Sequence, residues 1–390
     1  MVFHLLGINS FIGKNIYIEL KKQKLEVLCY SHSDINNLEL NDNDYIINCC
    51  GINKGKDYEE FKNGNVNFLK KILKKISNKD VYLIHLSSGA VNGFKNIDVE
   101  QLNNGMKFFI KSKLEGEKYL LDNCNKENLL IIRPSNIYGY NCEPYYNNIL
   151  VSLVYDKIKN FEKINNLNKN CVRNFLSIEG FVNKTLELIK NKYNGIYNII
   201  SSNNNSLNDI INYLYEVKPK YIIINDDEES ISNIDFNNNI IVNENIIDKL
   251  NLLENKMLKY YEMKDNITIE KLNELIQPRG NMIEISNLES KRLYKITLTK
   301  NSVRGNHYHE EQIEDFFVNN GFVYFILANK NDLDVIYQFK LNKNEKVKIK
   351  PYIIHTLVND YINNEPEIMV LSTQKYIKDI VLDTEYINII

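Results

Sequence analysis

The chain has 390 residues, 44% hydrophobic and 11% aromatic, with 48 basic against 50 acidic side chains for a net charge of −2. That length implies two or three domains, and that composition fills a real core and excludes wholesale disorder. The charge balance removes the electrostatic case for nucleic acid or an anionic membrane as the main partner.

Short apolar runs alternate with helical patterns up to about residue 190. Strands are predicted at Val2–Leu6, Glu26–Tyr30, Asp44–Cys50, Val81–Leu86 and Leu129–Arg133, with helices at Gly13–Lys22, Asn67–Ile76 and Lys107–Asn123. Mainly apolar strands without alternation, separated by helices, argue for a doubly wound parallel sheet covered on both faces. From about 190 to 260 the pattern weakens, and Asp226–Asn245 is rich in Asn and acidic residues. That stretch reads as loops and a poorly packed subdomain. Asn is abundant along the whole chain, which blurs turn signals. Beyond a helical Ile269–Ile276, strand-like segments follow at Leu293–Thr299, Phe316–Val318, Phe322–Leu327, Asp334–Leu341, Val347–Lys350 and Ile368–Ser372. They predict an all-β sandwich or barrel. The expected division is an α/β domain over residues 1–262 and an all-β domain over 270–390.

No apolar run approaches the roughly 20 residues that cross a bilayer. Met1–Gly7 has neither a basic leader nor a small-residue cleavage site. The six cysteines, at 29, 49, 50, 124, 142 and 171, contain no Cys-x-x-Cys pair. They form neither a disulfide framework nor a thiolate zinc site, and a cytoplasmic protein is expected.

The first strand runs straight into Gly7-Ile8-Asn9-Ser10-Phe11-Ile12-Gly13, and a helix follows. Gly7 would allow the tight turn and Gly13 the close approach of helix to strand, so that the helix N-terminus faces a pyrophosphate. This segment resembles the fingerprint of extended short-chain dehydrogenase/reductases, which carry a glycine where Ser10 stands. The resemblance extends over roughly residues 1–180. It includes Asp44-Tyr45-Ile46-Ile47-Asn48-Cys49-Cys50-Gly51 beside the cofactor, Leu86-Ser87-Ser88-Gly89 with the catalytic Ser at Ser88, and Arg133-Pro134-Ser135-Asn136-Ile137-Tyr138-Gly139 near nicotinamide and substrate. It implies a Rossmann-like fold and cofactor contacts at Gly7, Ser10, Phe11, Ile12, Gly13, Ser31, His32, Gly51, Lys113 and Asn136, with Asn136 also near substrate. An acidic residue at the end of the second strand would bind the ribose hydroxyls of NAD. Ser31-His32 stands there instead, which favours NADP(H) over NAD.

One departure bears on the chemistry. The family's Tyr-x-x-x-Lys pair lies one helical turn apart, and its Tyr passes a proton to the carbonyl oxygen as hydride arrives. Lys113 matches the Lys, but Phe109 stands at the Tyr position and has no proton to give. Either Ser88 or a water substitutes, or the domain binds nucleotide with little redox activity.

The second motif lies in the final quarter. In Arg304-Gly305-Asn306-His307-Tyr308-His309-Glu310-Glu311-Gln312-Ile313-Glu314, a strand would point His307 and His309 to one face, and His355 comes later. Imidazoles and a carboxylate make an N/O set suited to zinc or another divalent metal. The run resembles the cupin signature, a jelly-roll barrel, and implies His307, His309, Glu314 and His355 as metal ligands. Arg279-Gly280-Asn281-Met282-Ile283-Glu284 resembles a segment of the nucleotide-sugar epimerase cupins, so Arg279, Glu284 and Arg304 are candidate substrate contacts. Tyr308 and side chains near Arg304 are candidates for the cupin base.

A reductase domain followed by a metal cupin resembles one bifunctional family of capsule and O-antigen synthesis. Its members make UDP-N-acetyl-6-deoxy-L-talosamine-type sugars, precursors of N-acetyl-L-fucosamine. There the cupin epimerises C3 of a UDP-2-acetamido-2,6-dideoxy-4-keto sugar, and the reductase domain reduces C4 with NADPH to an L-talosamine- or L-rhamnosamine-type product. The resemblance implies a UDP-sugar substrate and a homodimer. Two alternatives stay open: an epimerase whose reductase domain is a binding scaffold, and a non-enzymatic ligand-binding or assembly protein.

Overall fold

The computed structural model describes residues 2–92, 104–146, 148–160, 165–168, 171–217, 222–225, 238–277, 280–361, 364–374, 384–386 and 389–390. Two compact units emerge. One comprises Met1–Leu20 with Cys29–Asn255, the other Lys21–Leu28 with Lys256–Ile390.

Seven strands form one sheet: β1 (Phe3–Leu6), β2 (Val27–Tyr30), β3 (Tyr45–Asn48), β4 (Tyr82–Leu86), β5 (Leu129–Pro134), β6 (Gly195–Ser201) and β7 (Asn239–Val242). Their order is β7-β6-β5-β4-β3-β1-β2, and every pairing from β1–β3 out to β6–β7 is parallel. Leu5, Leu6, Ile46, Ile47, Leu83, Ile84 and Leu130 through Ile132 are all buried, on both faces of the strands. Helices α1 (Phe11–Lys22) and α2 (Asn104–Asn123) belong to this arrangement. From β1 the chain steps outward to β2, then back across β1 to β3. Strand order therefore reverses between β1 and β3, and the crevice at their carboxyl ends is where such sheets bind ligand.

Residues 190–260 do not form the loops and poorly packed subdomain expected of them. They supply β6 and β7, the last two strands of the parallel sheet, and the helices Leu207–Leu214 and Ile246–Asn266. Ile199, Ile210 and Leu250 are fully buried. Frequent Asn, mostly at exposed positions, thinned the apolar pattern without removing its buried members. Residues 226–237 of the Asn-rich stretch lie outside the described residues.

Two antiparallel sheets make up the second unit. Their strands are β8 (Arg292–Thr297), β9 (Ser302–His309), β10 (Glu314–Asn320), β11 (Phe322–Asn329), β12 (Asp332–Asn342), β13 (Glu345–Ile349), β14 (Ile353–Asn359) and β15 (Glu367–Ser372). One sheet runs Ile269–Lys271, β13, β10, β15, β8, and the other β12, β11, β14, β9, Thr384–Tyr386. The core lies between them, where Phe316 of β10 meets Phe325 of β11 edge to face at 5.2 Å. The helix expected at Ile269–Ile276 is absent. Ile269–Lys271 pairs with β13, and Leu275–Gln277 pairs with Gly280–Met282.

One irregularity in β9 positions the site. The β9–β14 register shifts between Gly305 and His307, where Gly305 has φ +112° and Asn306 φ 55°. This extra residue rotates the strand so that His307 pairs directly with His355. A Cβ on Gly305 would collide with the His355 carbonyl oxygen, and the positive φ disfavours any side chain. Gly305→Ala should therefore destabilise this unit by roughly 1–3 kcal/mol, read as a lower denaturant midpoint; an unchanged midpoint would refute the bulge's dependence on glycine.

Candidate functional site

The two sheets of the all-β unit contribute unequally to one cluster. His307 and His309 from β9 and His355 from β14 belong to one sheet, while Glu314 opens β10 in the other. Their ligand-capable atoms all lie within 4.8 Å of one another. Glu314 Oε2 is 3.3 Å from His355 Nε2 and 3.5 Å from His309 Nε2. Metal–N and metal–O bonds of about 2.0–2.2 Å separate ligand atoms by roughly 3–4 Å, so the spacing suits a divalent cation.

Protonation states match that use. Burial, with His355 and His309 alongside, pushes His307 down to about 4. Burial acts to raise the Glu314 pKa, but contacts with His309 and His355 outweigh it and hold the carboxyl well below its usual range. His355 Nδ1 donates to the Ile353 carbonyl at 3.3 Å, which leaves its Nε2 facing the cluster. Glu314 is 3% exposed, yet its Oε2 accepts no hydrogen bond among the described residues. A buried carboxylate oxygen facing imidazole nitrogens fits a metal ligand set.

The other residues expected here are placed differently. Tyr308 is buried on the opposite face of β9 from His307 and His309. Its ring lies 6.4 Å from that of Tyr352, with the Lys330 ammonium 4.9 Å away, on the far side of the strand from the histidines. Arg304 is exposed on β9, and its charge is felt by Tyr294. Glu284 is exposed outside any strand, and Arg279 lies outside the described residues. Sequence reasoning missed Tyr294, whose hydroxyl donates to Glu314 Oε1 at 2.7 Å. It also missed Gln312, whose Nε2 donates to the same oxygen at 2.7 Å. Gln312 had a signal, sitting two residues before Glu314; Tyr294 had none, because only sheet pairing brings it there.

At the carboxyl edge of the parallel sheet, Gly7 has φ +90°, and a Cβ would lie 2.9 Å from Cys49 C and Cys50 N. Ser10 Oγ donates to the Gly7 carbonyl at 2.8 Å and accepts from the Gly13 N–H at 3.0 Å. Ser10 thus caps α1, with Phe11 and Ile12 in its half-buried first turn. Gly13 packs so tightly on the Gly7 carbonyl that no side chain fits. Past β2, the Asp34 carboxylate accepts from the Ser31 N–H at 2.8 Å and His32 stacks on Phe68 at 4.3 Å. A carboxylate therefore stands near the end of β2 after all.

Lys113 of α2 is buried, with Nζ 3.3 Å from the Leu86 carbonyl oxygen at the end of β4. A Cβ on Gly51 would come within 3.0 Å of that ammonium, so glycine leaves it room. The Phe109 ring centroid lies 5.9 Å from Nζ. Ser88 is half-buried and accepts from the Ala90 N–H at 3.2 Å. Asn136 is exposed and donates to the Asn174 carbonyl at 3.1 Å. Beside them runs a network the sequence reading did not include. Ser87 donates to Glu117, Arg133 Nε donates to Glu117 Oε1 at 2.9 Å, and Arg133 Nη1 donates to Asn92 Oδ1 at 2.6 Å. Glu117 lies one turn beyond Lys113, a spacing visible in the sequence.

Residues 4–199 match the NAD-dependent epimerase/dehydratase family, half of the chain. The chain belongs to that family. Residues 276–384 match the polysaccharide biosynthesis C-terminal domain. Together they mark an enzyme of nucleotide-sugar biosynthesis with a nicotinamide cofactor. No curated protein matches the chain. Among solved structures, MoeE5 in complex with UDP-glucose and NAD is 14% identical and shares the fold, covering 65% of this chain and 98% of its own at TM-score 0.52. The capsular polysaccharide assembling protein CapF from Staphylococcus aureus is 18% identical over 99% of both chains at TM-score 0.44. A dTDP-4-dehydrorhamnose reductase from Clostridium acetobutylicum is 16% identical over 68% of this chain and 100% of its own, at TM-score 0.46. Among the described residues, no helix is long and apolar enough to cross a membrane.

Within the parallel sheet, Lys113 stands at the carboxyl end of β4. Burial lowers its pKa to about 8, against the pull of Glu117, Cys50 and Cys49. An unfolded Lys titrates near 10.4, so the unfolded chain binds the extra proton between about 8 and 10.4 and stability rises with pH across that window. Lys113→Met should raise the unfolding midpoint at pH 7 and remove that rise, measured by denaturant titrations at pH 7 and 10; a lower midpoint at pH 7 would contradict the buried-ammonium penalty.

Proposed function

We propose that the chain epimerises C3 of a UDP-2-acetamido-2,6-dideoxy-4-keto hexose in its all-β unit, then reduces C4 with NADPH in its α/β unit. The product is a UDP-6-deoxy-L-talosamine- or L-rhamnosamine-type sugar. What supports this most is the meeting of His307, His309, Glu314 and His355 inside a small β-sandwich, on a chain that also carries an epimerase/dehydratase sheet.

The chemistry joins the two halves. A C4 ketone acidifies the C3 proton, so a base can remove it and return it on the other face through an enolate. A divalent cation held by the three imidazoles and Glu314 supplies charge stabilisation to that enolate when bound. Arg304, exposed on β9, suits the substrate diphosphate. The reduction step needs a hydride at C4 and a proton at its oxygen. Lys113 holds positive charge in the crevice, and Ser88 or a water gives the proton that Phe109 lacks. Having both activities on one chain shortens the free lifetime of a labile epimerised ketone.

A second reading is an epimerase whose α/β unit only holds nucleotide. It is favoured by Phe109, which covers Lys113 with a ring rather than a hydroxyl.

Incubation with the UDP 4-keto sugar and NADPH in heavy water, followed by NMR and absorbance, separates the readings. Deuterium at C3 with NADPH oxidation is the expected outcome; deuterium alone favours the second reading, and neither signal rejects both. Phe109→Tyr should raise the reduction rate on the order of 10²–10⁴-fold where the missing acid limits it. An unchanged rate would mean that another donor already serves.

A further inference from the structure

Glu314 presents two oxygens with opposite surroundings. Oε1 accepts two hydrogen bonds, from Tyr294 Oη at 2.7 Å and Gln312 Nε2 at 2.7 Å. Oε2 accepts none among the described residues and lies 3.3 and 3.5 Å from the His355 and His309 Nε2 atoms. The two donors come from separate places: Tyr294 from β8, which reaches β10 across β15, and Gln312 from the turn that precedes β10. The Arg292 guanidinium sits 4.2 Å from the Tyr294 ring centroid and covers one of its faces. Gln312 Nε2 also approaches His309 Nε2 at 3.3 Å, so the same amide touches two members of the cluster.

We propose that Tyr294 and Gln312 are positioning residues that make Glu314 a one-oxygen ligand, saturating Oε1 so that Oε2 alone faces a bound divalent cation. A carboxylate left to itself swings between one- and two-oxygen ligation, and each mode imposes a different coordination number. Two donors on one oxygen remove that freedom and orient the other, as outer-shell partners do for metal ligands generally. The open coordination position that a sugar oxygen needs is then kept from being filled by the protein's own carboxylate. This inference rests on the reading that the four side chains hold a divalent cation.

The test uses the full-length chain, Zn²⁺ and Co²⁺ as probes, and chelator competition to measure affinity. Tyr294→Phe keeps the ring and its stacking on Arg292 but removes the donor; Gln312→Ala removes the other donor from a turn and so spares the sheet. Each should weaken affinity by about 10–100-fold. The Co²⁺ visible bands should also weaken as Oε1 joins the coordination sphere. Unchanged affinity in both variants would overturn the proposal. So would weaker binding with unmoved Co²⁺ bands, which marks a general loosening of the site. A wild-type chain that binds neither ion would remove the metal reading itself, whereas wild-type binding with unaffected variants would remove only the role given to Tyr294 and Gln312.

Discussion

An ionised carboxylate enclosed between two β-sheets is the constraint around which the all-β unit is arranged. Isolated in an apolar interior, such a group would be costly enough to take up a proton or open the fold. Glu314 avoids both, with two hydrogen-bond donors on one oxygen and imidazoles facing the other. Those imidazoles come from the opposite sheet, so the cluster ties the two layers where Phe316 and Phe325 also meet. The bulge at Gly305 and Asn306 follows from the same demand, because His307 must stand in register with His355.

The α/β unit handles the opposite charge in a similar way. Lys113 buries an ammonium against a backbone carbonyl, and only glycine at position 51 leaves space beside it. Glu117, which could have neutralised it directly, is instead engaged by Arg133 and Ser87. A lysine held in this manner keeps its proton at neutral pH but gives it up more easily than an exposed one. Phe109, whose ring centroid lies 5.9 Å from Nζ, adds an apolar side to those surroundings.

Local pattern and tertiary environment divide the legibility of the chain. β1 to β5 read directly because a parallel strand covered on both faces is mostly apolar, with its few polar members such as His4, Asn48 and His85 also buried. The strands β6 and β7 and the helix Ile246–Asn266 escaped, because Asn residues, buried at Asn198 and exposed at Asn239 and Asn251, imitate loop composition while Ile199 and Leu250 stay inside. Ile269–Ile276 has helical spacing, yet β-branched Ile269 pairs with Val347 and the segment is extended. Tyr308 lay beside two of the clustered histidines in sequence, but strand alternation sends it to the other face.

From the sequence alone came the two-part architecture, the glycine turn at Gly7 to Gly13, Lys113 with Phe109 one turn before it, and the four side chains that cluster on the facing sheets. Each is carried by residue type at short spacing, which backbone periodicity converts into a shared face. What only the tertiary structure decided was which further groups reach those side chains: Tyr294 two strands from Glu314, Arg133 against Glu117, and Asp34 turned back onto Ser31. Such contacts depend on sheet order and register, and these are set by the packing of the whole layer rather than by any segment's own pattern.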